Sequence, residues 1–121
     1  MKMKLRGFAI AIAVLATCPS FLQAAPGQLS ARRIEIFAKR FEFTPGEITL
    51  KKGEPVVLVL RSVDVTHGLR VRELGIEAKA DKGQTREFAF TPDRTGTFVG
   101  HCSVFCGAGH GSMTLIIHIV E

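Results

Sequence analysis

Residues Thr97 to Val120 read TFVGHCSVFCGAGHGSMTLIIHIV and give the clearest indication of the fold. Residues 97–101 and 114–120 are rich in β-forming side chains. In the second run Leu115, Ile117 and Ile119 alternate with their neighbours, so they share one face of a strand. The stretch therefore predicts two strands that are joined by a loop.

Short alternating runs of the same kind, separated by turn residues such as Thr44-Pro45-Gly46, fill the chain before this stretch. Residues 56–60 are apolar on both faces and predict a central strand. We find no helical apolar period, so the sequence predicts an all-β sandwich or barrel. The other runs are residues 34–43, with a bulge or bend around 38–40, then 47–51, 69–72 and 87–90, whereas residues 76–80 fit either a strand or a loop.

The first 24 residues are typical of a signal peptide, with three cations before an apolar run over residues 7–16. The run is too short to span a bilayer, so we expect export, cleavage after Ala24 and no membrane span in the mature chain. Residues 25–32 would be a flexible lead-in and residues 33–121 the domain. In the alternative, Cys18 is the lipidated cysteine of a lipoprotein, although Thr17 departs from that pattern.

The basic charge of the chain comes largely from this leader. The formal net charge is +5, but residues 1–24 hold three cations and no acid, which leaves 13 basic and 11 acidic side chains. We therefore expect no nucleic-acid partner.

Metal-ligand residues recur in the loop between the last two predicted strands. Cys102, Cys106, His110 and Met113 follow one another at intervals of four, four and three residues, among glycines that permit a tight backbone. Thiolates with a thioether favour copper over zinc, and two cysteines are too few for most iron–sulfur clusters. His67, which we place at the end of an upstream strand, is the natural additional ligand.

Residues 102–113 resemble the dinuclear copper loop of the CuA domain, which occurs in cytochrome c oxidase subunit II and in nitrous oxide reductase. Residues 41–48 and 53–68 are similar to the same family. The resemblance implies a Greek-key cupredoxin fold with two copper ions. By position it implies that Cys102 and Cys106 bridge both ions, that His67 and Met113 complete one, and that His110 and the backbone carbonyl of Val104 complete the other.

The resemblance further implies a periplasmic one-electron carrier without catalytic residues of its own. Its partner would be a c-type cytochrome or a terminal oxidase or reductase. Val104 stands where the oxidase family usually has a Glu that reaches a magnesium site shared with the catalytic subunit, and the chain has no Trp for an electron-input patch. A stand-alone carrier therefore fits better than a subunit of a standard oxidase.

Other interpretations use the same residues. A periplasmic copper chaperone or storage protein could use all of these ligands, and Cys102 with Cys106 could form a disulfide or serve a thiol–disulfide protein. Strand alternation should turn His101 away from Cys102, and His118 should be exposed or structural. Three cations, Arg70, Arg72 and Lys79, form either a solvated face or a docking face for a redox partner.

Overall fold

The computed structural model describes residues 30–121. The predicted signal peptide, Cys18 and residues 25–29 of the lead-in lie outside this range. Within it there are nine strands, two 3-10 turns and no α-helix. The strands are β1 (Arg32–Lys39), β2 (Glu42–Thr44), β3 (Glu47–Lys51), β4 (Val56–Ser62), β5 (His67–Val71), β6 (Ile76–Ala80), β7 (Thr85–Phe90), β8 (Gly96–His101) and β9 (Thr114–Val120).

The strands form two sheets. One has four strands in the order β2-β1-β4-β7, and the other has five in the order β3-β9-β8-β5-β6. The chain passes repeatedly from one sheet to the other, and β1 runs parallel to β4 as β3 does to β9. This is the predicted Greek-key sandwich, so the expected all-β fold class is confirmed.

One apolar core lies between the sheets. Ile36, Leu58 and Leu60 come from the four-stranded sheet, while Leu115 and Ile117 come from the five-stranded one. β4 lies between β1 and β7, and its residues 56–60 are buried or half-buried on both faces, as predicted for a central strand. The predicted inward face of β9 is confirmed by the burial of its alternate residues.

Three local predictions differ from the structure or are settled by it. The bend around residues 38–40 is a full reversal, since β2 returns antiparallel to β1 with Phe37 opposite Thr44. His67 opens a strand rather than ending one, because β4 stops at Ser62 and pairing with Ala80 starts β5. Residues 76–80, for which the sequence left strand and loop open, form a strand.

In the described part of the chain, we find no helix of the length and apolarity needed to cross a membrane.

The core makes a stability prediction at Leu58, whose side chain is 2% exposed. Leu58→Ala should lower the free energy of unfolding by about 2–5 kcal/mol, because it leaves a cavity between the sheets. Denaturant unfolding would measure the change. Val99→Ala, at a 42% exposed position, is the control and should stay within about 0.5 kcal/mol. Equal effects of the two substitutions would contradict this description of the core.

Candidate metal centre

The predicted ligands come from two neighbouring parts of one sheet. β5 begins with His67, and β8 and β9 are joined by the loop of residues 102–113. The loop is fixed at its base because the backbone N–H of Cys102 donates to the carbonyl of Met113 at 3.1 Å. The N–H of Ser103 donates to the carbonyl of Gly68 at 3.3 Å, which joins the loop to β5.

Two sulfurs and one imidazole form the centre of the cluster. The Sγ atoms of Cys102 and Cys106 are 3.9 Å apart, and His67 Nδ1 lies 3.8 Å from the Sγ of Cys102. All three donor atoms lie within 4.8 Å of one another. The sulfur separation is far longer than the roughly 2.05 Å of a disulfide, and both cysteines are free thiols.

The remaining predicted donors surround the two sulfurs. His110 Nδ1 lies 3.7 Å from the Sγ of Cys106, and the Sδ of Met113 lies 3.9 Å from the same sulfur. The carbonyl oxygen of Val104 is 3.2 Å from the Sγ of Cys102. The structure thus brings all six sequence-predicted donor residues into one cluster. His101 is exposed and His118 hydrogen-bonds to Glu47 and Thr97, so neither belongs to it.

Burial keeps the thiol of Cys106 protonated. Cys102 and Cys106 are 5% and 4% exposed. Burial of Cys106, together with the nearby Cys102, raises the pKa of its thiol to about 11. The thiol therefore carries a proton at neutral pH, and a metal ion that binds its sulfur must displace that proton.

Asp64 orients the imidazole of His67. Its Oδ1 lies 2.6 Å from Nε2 of the fully buried His67. An ionised carboxylate only accepts, so Nε2 carries the proton and the Nδ1 lone pair is left for a metal. Partial burial disfavours the charged form of Asp64 and by itself would raise the pKa. Hydrogen bonds from the N–H of Arg40, from His67 and from the N–H of Val65 outweigh this effect and lower the pKa of Asp64 to about 2.

The reversal between β1 and β2 packs against the metal-ligand loop. Arg40 donates from its backbone N–H to Asp64 at 2.8 Å and from Nε to the carbonyl of Cys106 at 2.7 Å. Phe41 covers two loop glycines, since a Cβ on Gly109 would lie 2.5 Å from the Cγ and Cδ2 of its ring. A Cβ on Gly107 would lie 2.9 Å from the Cε1 and Cζ of the same ring. Gly107 also has a φ of 139°, a conformation that other residues rarely adopt. One reversal therefore contacts both the loop and the residue that orients His67.

Sequence reasoning missed Arg40, Phe41 and Asp64. Asp64 precedes His67 by three residues, and a carboxylate so close to a predicted ligand was the one available signal. Arg40 and Phe41 gave none, because their contacts depend on how the two sheets are assembled.

The donor set fits copper. Two thiols that can be ionised, one thioether, two imidazoles and one carbonyl match the soft and borderline ligands that copper prefers. The buried thioether of Met113 weighs against zinc, which binds nitrogen and thiolate ligands.

Comparisons with known proteins give one family match and several similar folds. Residues 39–120 match the family model of the cytochrome C oxidase subunit II periplasmic domain. The fold is similar to the periplasmic domain of cytochrome oxidase subunit II from Bradyrhizobium japonicum, at 22% identity and a TM-score of 0.68 over 74% of this chain and 84% of that one.

Two other solved structures have a similar fold. Auracyanin A, a blue copper protein from Chloroflexus aurantiacus, matches at 18% identity and a TM-score of 0.60 over 73% of this chain and 98% of its own. A mixed disulfide between a thioredoxin-like protein and subunit II of cytochrome c oxidase matches at 22% identity and a TM-score of 0.63 over 74% of this chain and 82% of that one.

Replacing Asp64 tests how His67 is oriented. Asp64→Asn removes the negative charge that holds the proton on Nε2, so we expect copper affinity to fall about 10- to 100-fold. Competition with a copper chelator would measure the change. Asp93→Asn makes the same substitution at a carboxylate paired with Arg94 and should leave the affinity unchanged. Equal affinities for the two variants would rule out the orienting role.

The loop glycines provide a matched pair of variants. Gly109→Ala should push the loop away from Phe41, which lowers the free energy of unfolding by about 1–3 kcal/mol and weakens copper binding. Gly111→Ala meets nothing within 4 Å and should stay within about 0.5 kcal/mol with normal copper binding. Denaturant unfolding and chelator competition report the two effects. Copper affinity that is the same in both variants would show that the Phe41 contact does not shape the site.

Proposed function

The chain belongs to the family of periplasmic domains of cytochrome c oxidase subunit II, and we propose that it is an exported electron carrier with a dinuclear copper site. One observation carries this proposal. The two buried cysteine sulfurs lie 3.9 Å apart, with the Nδ1 of His67 beside one and the Nδ1 of His110 beside the other. Such a pair of sulfurs with an imidazole on each side suits two ions rather than one.

The proposed ligand set follows the family pattern. Cys102 and Cys106 would bridge both ions, His67 and Met113 would complete one, and His110 with the carbonyl of Val104 would complete the other. When bound, the two ions would supply a one-electron redox couple, in which the unpaired electron of the oxidised form is shared between them. The side chains of this protein contribute the positions of the donors and the exclusion of water, because most of the cluster is buried.

Two features of the chain support a carrier that does no bond chemistry. The donors lie close to one another and the base of their loop is fixed by a backbone hydrogen bond, so we expect little rearrangement on binding. Val104 offers only its carbonyl and no carboxylate. A link to a magnesium site of a catalytic subunit is therefore not part of this proposal.

The exposed side of the cluster suggests where electrons pass. His110 is half-buried and its ring packs against Phe105, with the centroids 5.7 Å apart. The Phe105 side chain is 78% exposed. An apolar residue on a ligand loop offers a contact for a redox partner, for which we propose a c-type cytochrome or a terminal oxidase or reductase. We propose the periplasm as the location, after removal of residues 1–24.

Copper delivery is the second candidate function. Cys102 and His110 both line an open recess at the surface, so another protein's ligands can reach two of the donors. The solved complex of subunit II with a thioredoxin-like protein suggests that such a protein could also keep Cys102 and Cys106 reduced. Rapid transfer of copper to a competing apo-protein, without a reversible redox cycle, would favour delivery over electron transfer.

Metal analysis combined with electron paramagnetic resonance tests the carrier directly. Protein loaded with copper under reducing conditions and then oxidised should hold two ions per chain, with one unpaired electron shared by two copper nuclei. Cys106→Ser removes a bridging sulfur and should lose the shared signal. His118→Gln, at a histidine outside the cluster, should keep both ions. One ion per wild-type chain with a single-nucleus signal would refute the dinuclear site.

A further inference from the structure

A basic recess opens at the surface directly beside the metal-ligand cluster. Its volume is about 250 Å³. Two arginines, two histidines, a cysteine and a serine line it, and no acidic residue of residues 30–121 is among them. The lining residues are Arg70, Arg72, His101, Cys102, Ser103 and His110.

The strand register places the cations there. Arg70 on β5 pairs with His101 on β8 and with Glu77 on β6, so these three side chains form a row on the outer face of the five-stranded sheet. Arg72 follows at the start of the 3-10 turn Arg72–Leu74. Because β8 leads directly into the ligand loop, the row ends next to Cys102.

The cations of the recess are not fully satisfied within the protein. Glu77 binds Nη2 of Arg70, but Nε of Arg70 is buried and has no hydrogen-bond partner in the described structure. Within residues 30–121 Arg72 forms no ion pair. Arg70 and Arg72 both line the recess, so their guanidinium groups offer hydrogen-bond donors to a ligand with acceptor oxygens.

We propose that this recess binds a carboxylate on the docking surface of an acidic redox partner. The proposal rests on the proposed electron-carrier function, because it gives that function a docking site. Guanidinium groups match carboxylates in charge and in geometry. The neighbouring Phe105, 78% exposed, supplies an apolar contact beside the charged one, as at the centre of many protein interfaces.

Docking at the recess would set the partner against the exposed side of the cluster. His110 and Cys102 belong to both the recess and the donor set, so a carboxylate bound here lies beside two donors. Attraction between unlike charges also speeds association at low salt and weakens as salt rises. The basic recess therefore selects acidic partners and orients them.

A nuclear magnetic resonance titration tests the recess. Hexaglutamate peptide is the probe for an acidic surface, added to the reduced, isotopically labelled protein with and without copper. We expect salt-sensitive amide shifts at residues 70–72, 101–103 and 110. Arg72→Gln should weaken peptide binding at least about tenfold, because it removes a charge-assisted contact. Arg94→Gln, at the other end of β8, should have no effect.

The outcomes are distinct. Shifts elsewhere on the protein, or equal peptide affinity for Arg72→Gln and the wild type, overturn the proposal. Acetate or inorganic phosphate that binds the recess as tightly as the peptide also overturns it, because the site would then serve free anions. Recess binding in the copper-free sample together with failed copper loading refutes only the proposed function. Normal copper loading without recess shifts refutes only this inference.

Discussion

The contact of the β1–β2 reversal with the ligand loop is the constraint on which the site depends. Arg40 donates to the carboxylate of Asp64 with its backbone and to the carbonyl of Cys106 with its side chain. Asp64 in turn fixes the proton of His67 on Nε2. The two sulfurs come from the loop of residues 102–113 and the imidazole comes from β5. These hydrogen bonds therefore link the loop to the carboxylate that orients His67.

Burial of the sulfurs sets a cost on metal binding. Burial keeps the thiol of Cys106 protonated, so a metal ion that binds its sulfur must displace that proton. The binding energy that remains after this cost also stabilises the loop. The proposed electron transfer requires a site that changes little when an electron arrives or leaves, and donors held by several hydrogen bonds fit that requirement.

The sequence predicted what depends on local pattern. Alternation identified the strands, and spacing identified Cys102, Cys106 and His110, because ligands on one short loop converge whatever the rest of the fold does. The hydrogen bond from Arg40 to the carbonyl of Cys106 was missed because the two residues are 66 positions apart in the sequence. The prediction that His67 ends a strand was wrong, because pairing with β6 decides where β5 begins and the local pattern does not.

X-ray absorption spectroscopy of the copper-loaded protein, oxidised and then reduced, tests most directly whether the two sulfurs bridge a pair of ions. We predict that each copper ion has both cysteine sulfurs as neighbours and a second copper ion close by, and that these distances change little between the two oxidation states. A copper ion without a copper neighbour, or coordination that rearranges on reduction, would contradict a preformed dinuclear centre.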